Sequence, residues 1–414
     1  MKNVLIISYY WPPSGGPGVQ RVLKFCKYLP KYGWNPIVLT VKDGDFPLKD
    51  SSLNSTLKNG NIYFSKSYSF HKIVNFLSKK KHTPSHQLTK SKGEGYISKL
   101  SRWIRLNLIV PDGRVGWYPN AIKVGSQIIY KRNIKVIFST APPFTTHLIG
   151  MSLSNRSGIP FVADFRDPWT DYHYYENNRL LITDKLDKYL EKKVIKTADL
   201  ITTAHKTMGD NFVDDYAVIF NGYDEDDFKK TLEKDKDKIV ISHIGTLSQK
   251  QNPTYFFDAV HKLNEMGKIY HIDLIGSVHP DIANEINIKG YNYFINIKKY
   301  LPHDIAIQKM RKSHFLLLII NNAKKNMGLI NAKIFEYIRS GSKIILIGPD
   351  GGDSEKIIKN TNSGFCFNYN EKKGFEKILT ADYNLEPKNY KKYSREILSK
   401  ELANRLNQVH VEKK

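Results

Sequence analysis

The sequence predicts an α/β fold in which two parallel-sheet domains follow one another along the chain. Short apolar runs alternate with amphipathic helical segments, which is the pattern of repeated strand–helix–strand units. A mixed-charge stretch at residues 224–238 separates two such series. At 414 residues the chain is also too long for one core of ordinary size. We therefore expect two domains, with the ligand in the cleft between them.

Each series predicts its own set of elements. The first gives strands at residues 4–8, 36–41, 136–139, 160–165 and 200–203, with helices at 19–29, 144–157 and 184–198. The second gives strands at residues 239–244, 271–276, 294–298, 315–320, 343–347 and 365–368. We place the first domain at residues 1–215, with a basic insertion at about 66–110, and the second at 216–392. Residues 393–414 suit a helix that packs back on the first domain.

The composition predicts a cytoplasmic protein. No apolar run approaches the roughly 18 to 20 residues that span a bilayer. Residues 1–8 have a strand pattern and no small-residue cleavage site follows them, so we do not expect a secretory signal. The two cysteines, Cys26 and Cys366, lie in opposite halves of the chain. We expect buried thiols there, not a disulfide or a metal site.

The positive charge is concentrated in one segment. The net charge is +24, and residues 66–105 hold ten Lys or Arg against the single acid Glu94. Positions 97–109 predict an amphipathic helix that carries Trp103, with three lysines at 79–81 upstream. Such a segment suits the headgroup region of an anionic bilayer, or else is an ordinary helix with a solvated basic face. No pattern of a nucleic-acid-binding module is present, so we do not expect a nucleic-acid partner.

A lysine and a glutamate stand one turn apart in the helical segment 331–341. Lys333 and Glu336 lie between two apolar runs, at residues 315–320 and 343–347. In a strand–helix–strand unit the helix begins near the carboxyl end of the first strand, where open α/β sheets bind ligands. A cation there can meet phosphate, and a carboxylate can accept hydrogen bonds from the hydroxyls of a ribose or a sugar.

Two glycine-containing loops each connect a strand to a helix. Gly15 and Gly16 follow the first strand of the chain. Gly245 follows the first strand of the second series, with Lys250 in the same loop. Backbone amides in such turns approach a phosphate or a sugar at a helix N-terminus. In the Gly15-Gly16 loop, Arg21 stands where a nicotinamide-binding loop has its third glycine, so dinucleotide binding is the least favoured function of this loop. We favour contact with a substrate over a plain tight turn. The second loop lacks the Gly-Lys-Ser/Thr of nucleoside triphosphatases, so we do not expect ATP hydrolysis.

Charged side chains also follow the strand at residues 160–165. Arg166 and Asp167 belong to the block 164–169. Three aromatic residues come next: Tyr172, Tyr174 and Tyr175. Charges at a strand exit are costly unless they are solvated, paired or functional, so their position favours the ligand cleft. The alternative is an Asp-Pro turn with an internal Arg–Asp pair. His147 lies near another strand exit, and a lone histidine is either catalytic or structural.

Taken together, these residues resemble the GT-B glycosyltransferases, and within them the family-4-like retaining enzymes of bacterial polysaccharide assembly. The resemblance covers nearly the whole chain and rests on five blocks: the Gly15-Gly16 loop, residues 164–169, residues 221–224, the Gly245 loop and residues 333–341. It implies two Rossmann-like domains that face a central cleft, with a nucleotide-diphosphate sugar held mainly by the second domain and the acceptor by the first. It implies no cofactor and no metal, because lysines, arginines and helix N-termini stabilise the leaving diphosphate.

The resemblance also implies roles for single residues. Glu336 matches the glutamate that binds the donor ribose, and Lys333 is a nearby cation that could reach the diphosphate. Lys250 lies in the loop that carries phosphate-binding basic residues. Gly16, next to Gly15, matches the loop that closes over the donor phosphates.

Two positions depart from the family pattern. Gly328 stands where many relatives carry a second glutamate, so a carboxylate contact to the sugar hydroxyls is lost and the loop through Leu329 can offer backbone amides only. Thr246 stands where relatives often have an arginine. This leaves Lys250 and Lys333 with a larger share of the charge stabilisation.

We expect a retaining transfer of a sugar from a nucleotide-diphosphate donor to a lipid-linked oligosaccharide or polysaccharide acceptor, by a protein peripheral on the inner face of the cytoplasmic membrane. Asp167, Arg166 and His147 would form the catalytic group that orients the acceptor or the sugar. Two other classes stay open. One is a nucleotide-sugar epimerase or hydrolase of the same architecture, and the other is a non-catalytic anion-binding protein recruited to the membrane.

Overall fold

The computed structural model describes residues 1–413 except 47, 54–56, 58, 69–95, 172–178, 211–213, 230–231 and 372. The chain forms two compact units. Unit 1 comprises Met1–Phe220 and Leu398–Lys414, and unit 2 comprises Asn221–Ile397. Each unit contains a parallel sheet with helices, which confirms the predicted α/β fold class. In the described part of the chain, no helix is long and apolar enough to cross a bilayer.

Unit 1 is built on a seven-stranded sheet. Its strands are β1 (Lys2–Ile7), β2 (Trp34–Val41), β3 (Ile62–Ser65), β4 (Ile134–Ala141), β5 (Phe161–Phe165), β6 (Leu200–Thr203) and β7 (Ala217–Val218). Its helices are α1 (Pro17–Tyr28), α2 (Tyr96–Asn107), α3 (Tyr118–Arg132), α4 (Thr145–Ser157), α5 (Leu181–Thr197) and α6 (Lys206–Asp210). The strands pair in parallel in the order β3-β2-β1-β4-β5-β6-β7. The order reverses between β1 and β4, so the loops after these strands diverge there and leave a crevice of the kind that binds ligands.

Unit 2 is built on a six-stranded sheet. Its strands are β8 (Ile239–Ile244), β9 (Tyr270–Ile275), β10 (Ile295–Lys298), β11 (Phe315–Ile319), β12 (Lys343–Ile347) and β13 (Gly364–Phe367). Its helices are α7 (Thr254–Glu265), α8 (Pro280–Ile288), α9 (His303–Lys312), α10 (Lys333–Ser340), α11 (Asp353–Thr361) and α12 (Phe375–Thr380), and α13 (Arg395–Glu412) follows. The parallel order β10-β9-β8-β11-β12-β13 has its reversal between β8 and β11.

The core of unit 1 lies on both faces of its sheet, because side chains alternate along each strand. Leu5 and Ile7 of β1 join one buried cluster, and Val4 and Ile6 join another. The second cluster includes Leu402 of α13, so the end of the chain packs on unit 1. A fully buried leucine of this kind contributes about 1.5–3 kcal/mol.

A fully buried ion pair joins α1 to the sheet of unit 1. Asp164 in β5 accepts from Nη2 and Nε of Arg21, at 2.7 and 3.0 Å, and neither side chain is exposed. Thr140 of β4 and Thr202 of β6 donate to the same carboxylate at 2.7 and 2.8 Å. Nη1 of Arg21 donates to the carbonyl of Phe220 at 2.8 Å, where unit 1 ends before unit 2.

The partners of Asp164 keep it ionised. Burial alone would raise the pKa of its carboxyl group, but the charge of Arg21 and the hydrogen bonds from Arg21, Thr140 and Thr202 outweigh burial, so the pKa is lowered. Removing one partner of such a pair leaves an uncompensated buried charge.

We expect Arg21→Met to destabilise unit 1 by about 3–5 kcal/mol, because it leaves the Asp164 carboxylate buried without its counter-charge. The double variant Arg21→Met/Asp164→Asn should recover part of this loss, since the amide carries no charge. All five tryptophans lie before residue 221, so tryptophan fluorescence during urea unfolding reports on unit 1 alone. An unchanged urea midpoint for Arg21→Met would contradict the assigned role of the pair.

Candidate functional site

In unit 2, the carboxyl end of β8 meets the first residue of α10. Gly245 follows β8 with a φ of +147°, and a β-carbon there would lie 2.8 Å from Nζ of Lys333. The lysine ammonium group therefore lies directly over the backbone at Gly245, and a side chain at that position would displace it. Burial lowers the pKa of Lys333, and the carboxylate of Glu336 opposes that shift. The structure thus brings Gly245 and Lys333, which the sequence analysis treated as separate motifs, together within unit 2.

Glu336 is a buried carboxylate held by a histidine. Its side chain accepts a hydrogen bond from Nε2 of His303, the first residue of α9, at 3.0 Å. Burial would raise the pKa of Glu336, but the hydrogen bond and charge of His303, followed by the charges of Lys333 and Arg395, lower it. Glu336 is thus an ionised acceptor one turn into α10. No local sequence pattern marks His303, because it lies 33 residues before its partner.

One further contact holds α10 against β8, and a second joins β8 to β11. The hydroxyl of Tyr337 accepts from the backbone N–H of Ile244 at 3.0 Å. Next to it in β8, His243 is buried and its Nδ1 donates to the carbonyl of Leu317 at 3.0 Å. Burial lowers the pKa of His243 to about 4, so the ring stays neutral close to Lys333. A neutral ring leaves Lys333 as the positive group beside Gly245.

Lys250 lies in a short turn, Gln249–Gln251, that follows the Gly245 loop. Ser248 begins this turn, and its hydroxyl donates to the side chain of Gln251 at 2.9 Å. The carbonyl of Lys250 accepts from the N–H of Asn322 at 3.1 Å, which ties the turn to the loop after β11. The Lys250 side chain is exposed, so it can reach an anion at this end of the sheet.

The loop before α10 places Gly328 in a buried position. The N–H of Leu329 donates to the carbonyl of Asn326 at 3.1 Å, and the carbonyl of Leu329 accepts from Ser354. The amide of Leu329 is therefore engaged in its own turn, and it would have to leave that turn to bind a ligand.

In unit 1, Gly15 and Gly16 have different surroundings. A β-carbon on Gly15 would lie 2.9 Å from the Asp50 side chain, so this glycine is needed for close packing. Gly16 precedes α1 with a φ of +97°, and a β-carbon there would meet no atom within 4 Å. Gly16 thus leaves open space at the N-terminus of a 12-residue helix, where backbone N–H groups favour an anion.

Arg166 lies against the start of α1. Its Nε donates to the carbonyl of Ala141 at 3.0 Å, and its Nη2 donates to Pro142. A β-carbon on Gly18 would lie 1.8 Å from its Nη1, so a side chain there would force the guanidinium group of Arg166 to move. Burial lowers the pKa of Arg166, and the charges of Asp167 and Asp164 oppose that shift, so the alternative of an internal Arg–Asp pair stays open. Asp167 is exposed.

His147 lies in the core of unit 1. It is fully buried, its ring lies 4.4 Å from that of Phe165, and a hydrogen bond of 2.7 Å joins Nδ1 to the hydroxyl of Ser139. Burial lowers its pKa to about 3, with Asp164 opposing this shift and Arg166 adding to it. A neutral ring in this place does not touch solvent, because the first turn of α4 faces the sheet. The structure therefore places His147 among the core residues of unit 1. Tyr172, Tyr174 and Tyr175 lie outside the described residues.

No family model and no curated protein sequence matches the chain. Solved structures match it over nearly its whole length. It is similar to sucrose-phosphate synthase from Thermosynechococcus elongatus, with a TM-score of 0.59 and 10% identity over 100% of this chain and 97% of the other. It is similar to the apo form of WaaB, a lipopolysaccharide outer core galactosyltransferase, with a TM-score of 0.57 and 14% identity over 99% of each chain.

A third similar structure comes from another functional class. It is assigned as a UDP-N-acetylglucosamine 2-epimerase of Listeria monocytogenes, with a TM-score of 0.52 and 11% identity over 100% of this chain and 98% of the other. At such low identity these likenesses establish the fold alone. With its two parallel-sheet α/β units, the chain has the GT-B fold.

Proposed function

We propose that the protein is a retaining glycosyltransferase that takes its sugar from a nucleotide-diphosphate donor. The observation that carries this proposal is the arrangement at the end of β8, where the Lys333 ammonium group lies over the backbone of Gly245 and the ionised Glu336 follows one turn later. A diphosphate needs positive charge close to a small residue, and a ribose needs a carboxylate acceptor.

The donor would be held by unit 2. Glu336 accepts hydrogen bonds from the ribose hydroxyls, and His303 keeps one of its oxygens in place. Lys333 neutralises the diphosphate, together with the N-terminus of α10 and the exposed Lys250. In unit 1, taken by itself, the open helix N-terminus at Gly16 suits a phosphate, and Gly15 sets the turn before it. These preorganised donors stabilise the charge on the departing diphosphate without a metal ion.

For the transfer step we propose that the leaving phosphate oxygen accepts the proton of the acceptor hydroxyl, while the bond to the anomeric carbon forms on the same face. Configuration is then retained. Asp167 is exposed and orients the acceptor or the sugar, and Arg166 fixes the loop that carries it. His147 acts from the core by supporting the same loop region through its contact with Phe165.

We further propose a lipid-linked oligosaccharide or polysaccharide as acceptor and a peripheral location at the cytoplasmic face of an anionic membrane. Helix α2 supports this, since it carries Lys99, Arg102 and Arg105 with the exposed Trp103. The lysines at residues 79–81 and the acid Glu94 lie outside the described residues.

Lys333→Met and Glu336→Gln should each lower the rate of sugar transfer by about 10²–10³-fold, because each removes one preorganised polar contact. The matched control is Lys356→Met, an exposed lysine on α11. Calorimetric titration with uridine and guanosine diphosphates, together with transfer assays, measures both steps. Wild-type binding and wild-type rates for both variants would remove the basis of this assignment.

The reaction class is tested by withholding the acceptor. A retaining transferase leaves the sugar nucleotide unchanged until an acceptor is added, and the product then keeps the donor's anomeric configuration in its proton NMR spectrum. An epimerase, the alternative suggested by one similar structure, converts the sugar nucleotide by itself. A non-catalytic anion-binding protein does neither.

Excess EDTA should leave the transfer rate unchanged, because lysines and helix N-termini supply the positive charge at the diphosphate. The assay compares initial rates before and after chelation, and again after magnesium is restored. A rate that falls with EDTA and returns with magnesium would show that a metal ion takes part.

A further inference from the structure

Helix α5 of unit 1 exposes large apolar side chains on one face. Leu181 is 80% exposed, Ile182 75%, Tyr189 60% and Leu186 47%. Isolated exposed apolar residues are ordinary, but a contiguous set of this size marks an interaction surface. The binding of a nucleotide-sugar donor proposed for unit 2 does not require this apolar face of unit 1.

The acids of α5 face inward or are paired, which leaves its outer face positive. Asp187 is fully buried and accepts from Nε1 of Trp169 at 2.8 Å and from Arg179. Glu191 is buried as well, and Asp184 pairs with Lys188 at 2.7 Å. The remaining lysines of the helix are all exposed: Lys185, Lys192, Lys193 and Lys196.

Helix α2 extends the same kind of surface. Leu100 and Trp103 are 50% and 44% exposed, and Leu108 just after the helix is 64% exposed. The basic side chains Lys99, Arg102 and Arg105 lie among them. No acid occurs between residues 96 and 111.

Three hydrogen bonds join the end of α2 to the start of α5. Nε of Arg179 donates to the carbonyl of Leu106 at 3.0 Å. The N–H of Leu180 donates to the side chain of Asn107 at 2.6 Å, and Thr183 donates to its carbonyl at 2.9 Å. The two helices therefore adjoin at these ends, and we call their exposed residues together the α2–α5 surface.

We propose that the α2–α5 surface docks on an anionic lipid bilayer, with α5 contributing as well as α2. This deepens the membrane association included in the proposed function and rests on it. Apolar side chains enter the headgroup boundary while lysines and arginines attract anionic lipids. A second copy of the chain is a poor occupant, because two such positive faces repel one another.

The test uses the full chain and vesicles of phosphatidylglycerol with phosphatidylcholine, followed by cosedimentation. Leu181→Glu/Ile182→Glu should weaken binding at least tenfold, since each leucine-sized side chain contributes roughly tenfold when it leaves water. The matched control is Tyr130→Glu/Val411→Glu, which changes two residues of unit 1 that are 90% and 66% exposed by the same charge. Lys185→Gln/Lys192→Gln should weaken binding by roughly fivefold per lysine. Urea unfolding followed by tryptophan fluorescence verifies that each variant is folded.

Four outcomes would overturn the proposal. If Leu181→Glu/Ile182→Glu binds normally while Trp103→Glu/Leu108→Glu does not, membrane association stands and the role of α5 is wrong. If the wild-type chain binds neutral vesicles equally well, the charge argument fails. If it ignores anionic vesicles, the membrane part of the proposed function fails too, whereas donor binding is judged separately by calorimetry. If the wild type sediments as a dimer that the Leu181/Ile182 variant breaks, the surface is an interface between copies.

Discussion

The buried ion pair between Asp164 and Arg21 is the constraint on which unit 1 depends. Thr140 and Thr202 lie directly beside Asp164 in the register of β4-β5-β6, and all three polar groups point to the same side of the sheet. A slip of one residue in either pairing would turn a threonine to the opposite face and leave the carboxylate short of a partner. The charge therefore fixes strand register, and through Arg21 it also fixes α1 and the loop with Gly16 in front of it.

Unit 2 also contains a buried carboxylate, but different groups stabilise its charge. There His303 and the partly buried Lys333 stabilise the negative charge of the buried Glu336 carboxylate. His303 donates to one carboxylate oxygen, so the hydrogen-bonding positions of Glu336 are not all used. A carboxylate that is ionised, held on one oxygen and placed near a helix N-terminus is ready to accept hydroxyl groups. In unit 1 the carboxylate oxygens of Asp164 are occupied by protein donors, so Asp164 stabilises the fold and Glu336 is available for a ligand.

The sequence predicted those elements that a local pattern of apolar and turn residues encodes. Strands β8 and β12 were placed to the residue, because apolar runs between turn signals leave little choice of boundary. Helix α3 was missed, since its buried positions include Ala121 and Gly125 and the apolar stripe is weak. Lys333 and Glu336 were proposed as site residues from their spacing, whereas His303 was not, because its contact with Glu336 depends on tertiary packing. For His147 the sequence left a catalytic and a structural role open, since a helical turn does not reveal which face it buries, and the structure places this residue in the core.

A count of charged residues along the sequence does not show which of them lie at the protein surface. Helix α5 contains five lysines and three acids, which reads as a mixed and nearly balanced surface helix. In the fold, Asp187 accepts a hydrogen bond from Trp169 and Glu191 accepts one from Thr170. Asp184 forms an ion pair with Lys188. Burial of acids on one face thus makes the opposite face more basic than its composition suggests. An inward acid helps to hold the helix on the unit through its hydrogen bonds, and it no longer screens the lysines outside. Asp187 and Glu191 therefore serve stability and surface potential together, and their inward direction distinguishes this helix from an ordinary solvated one.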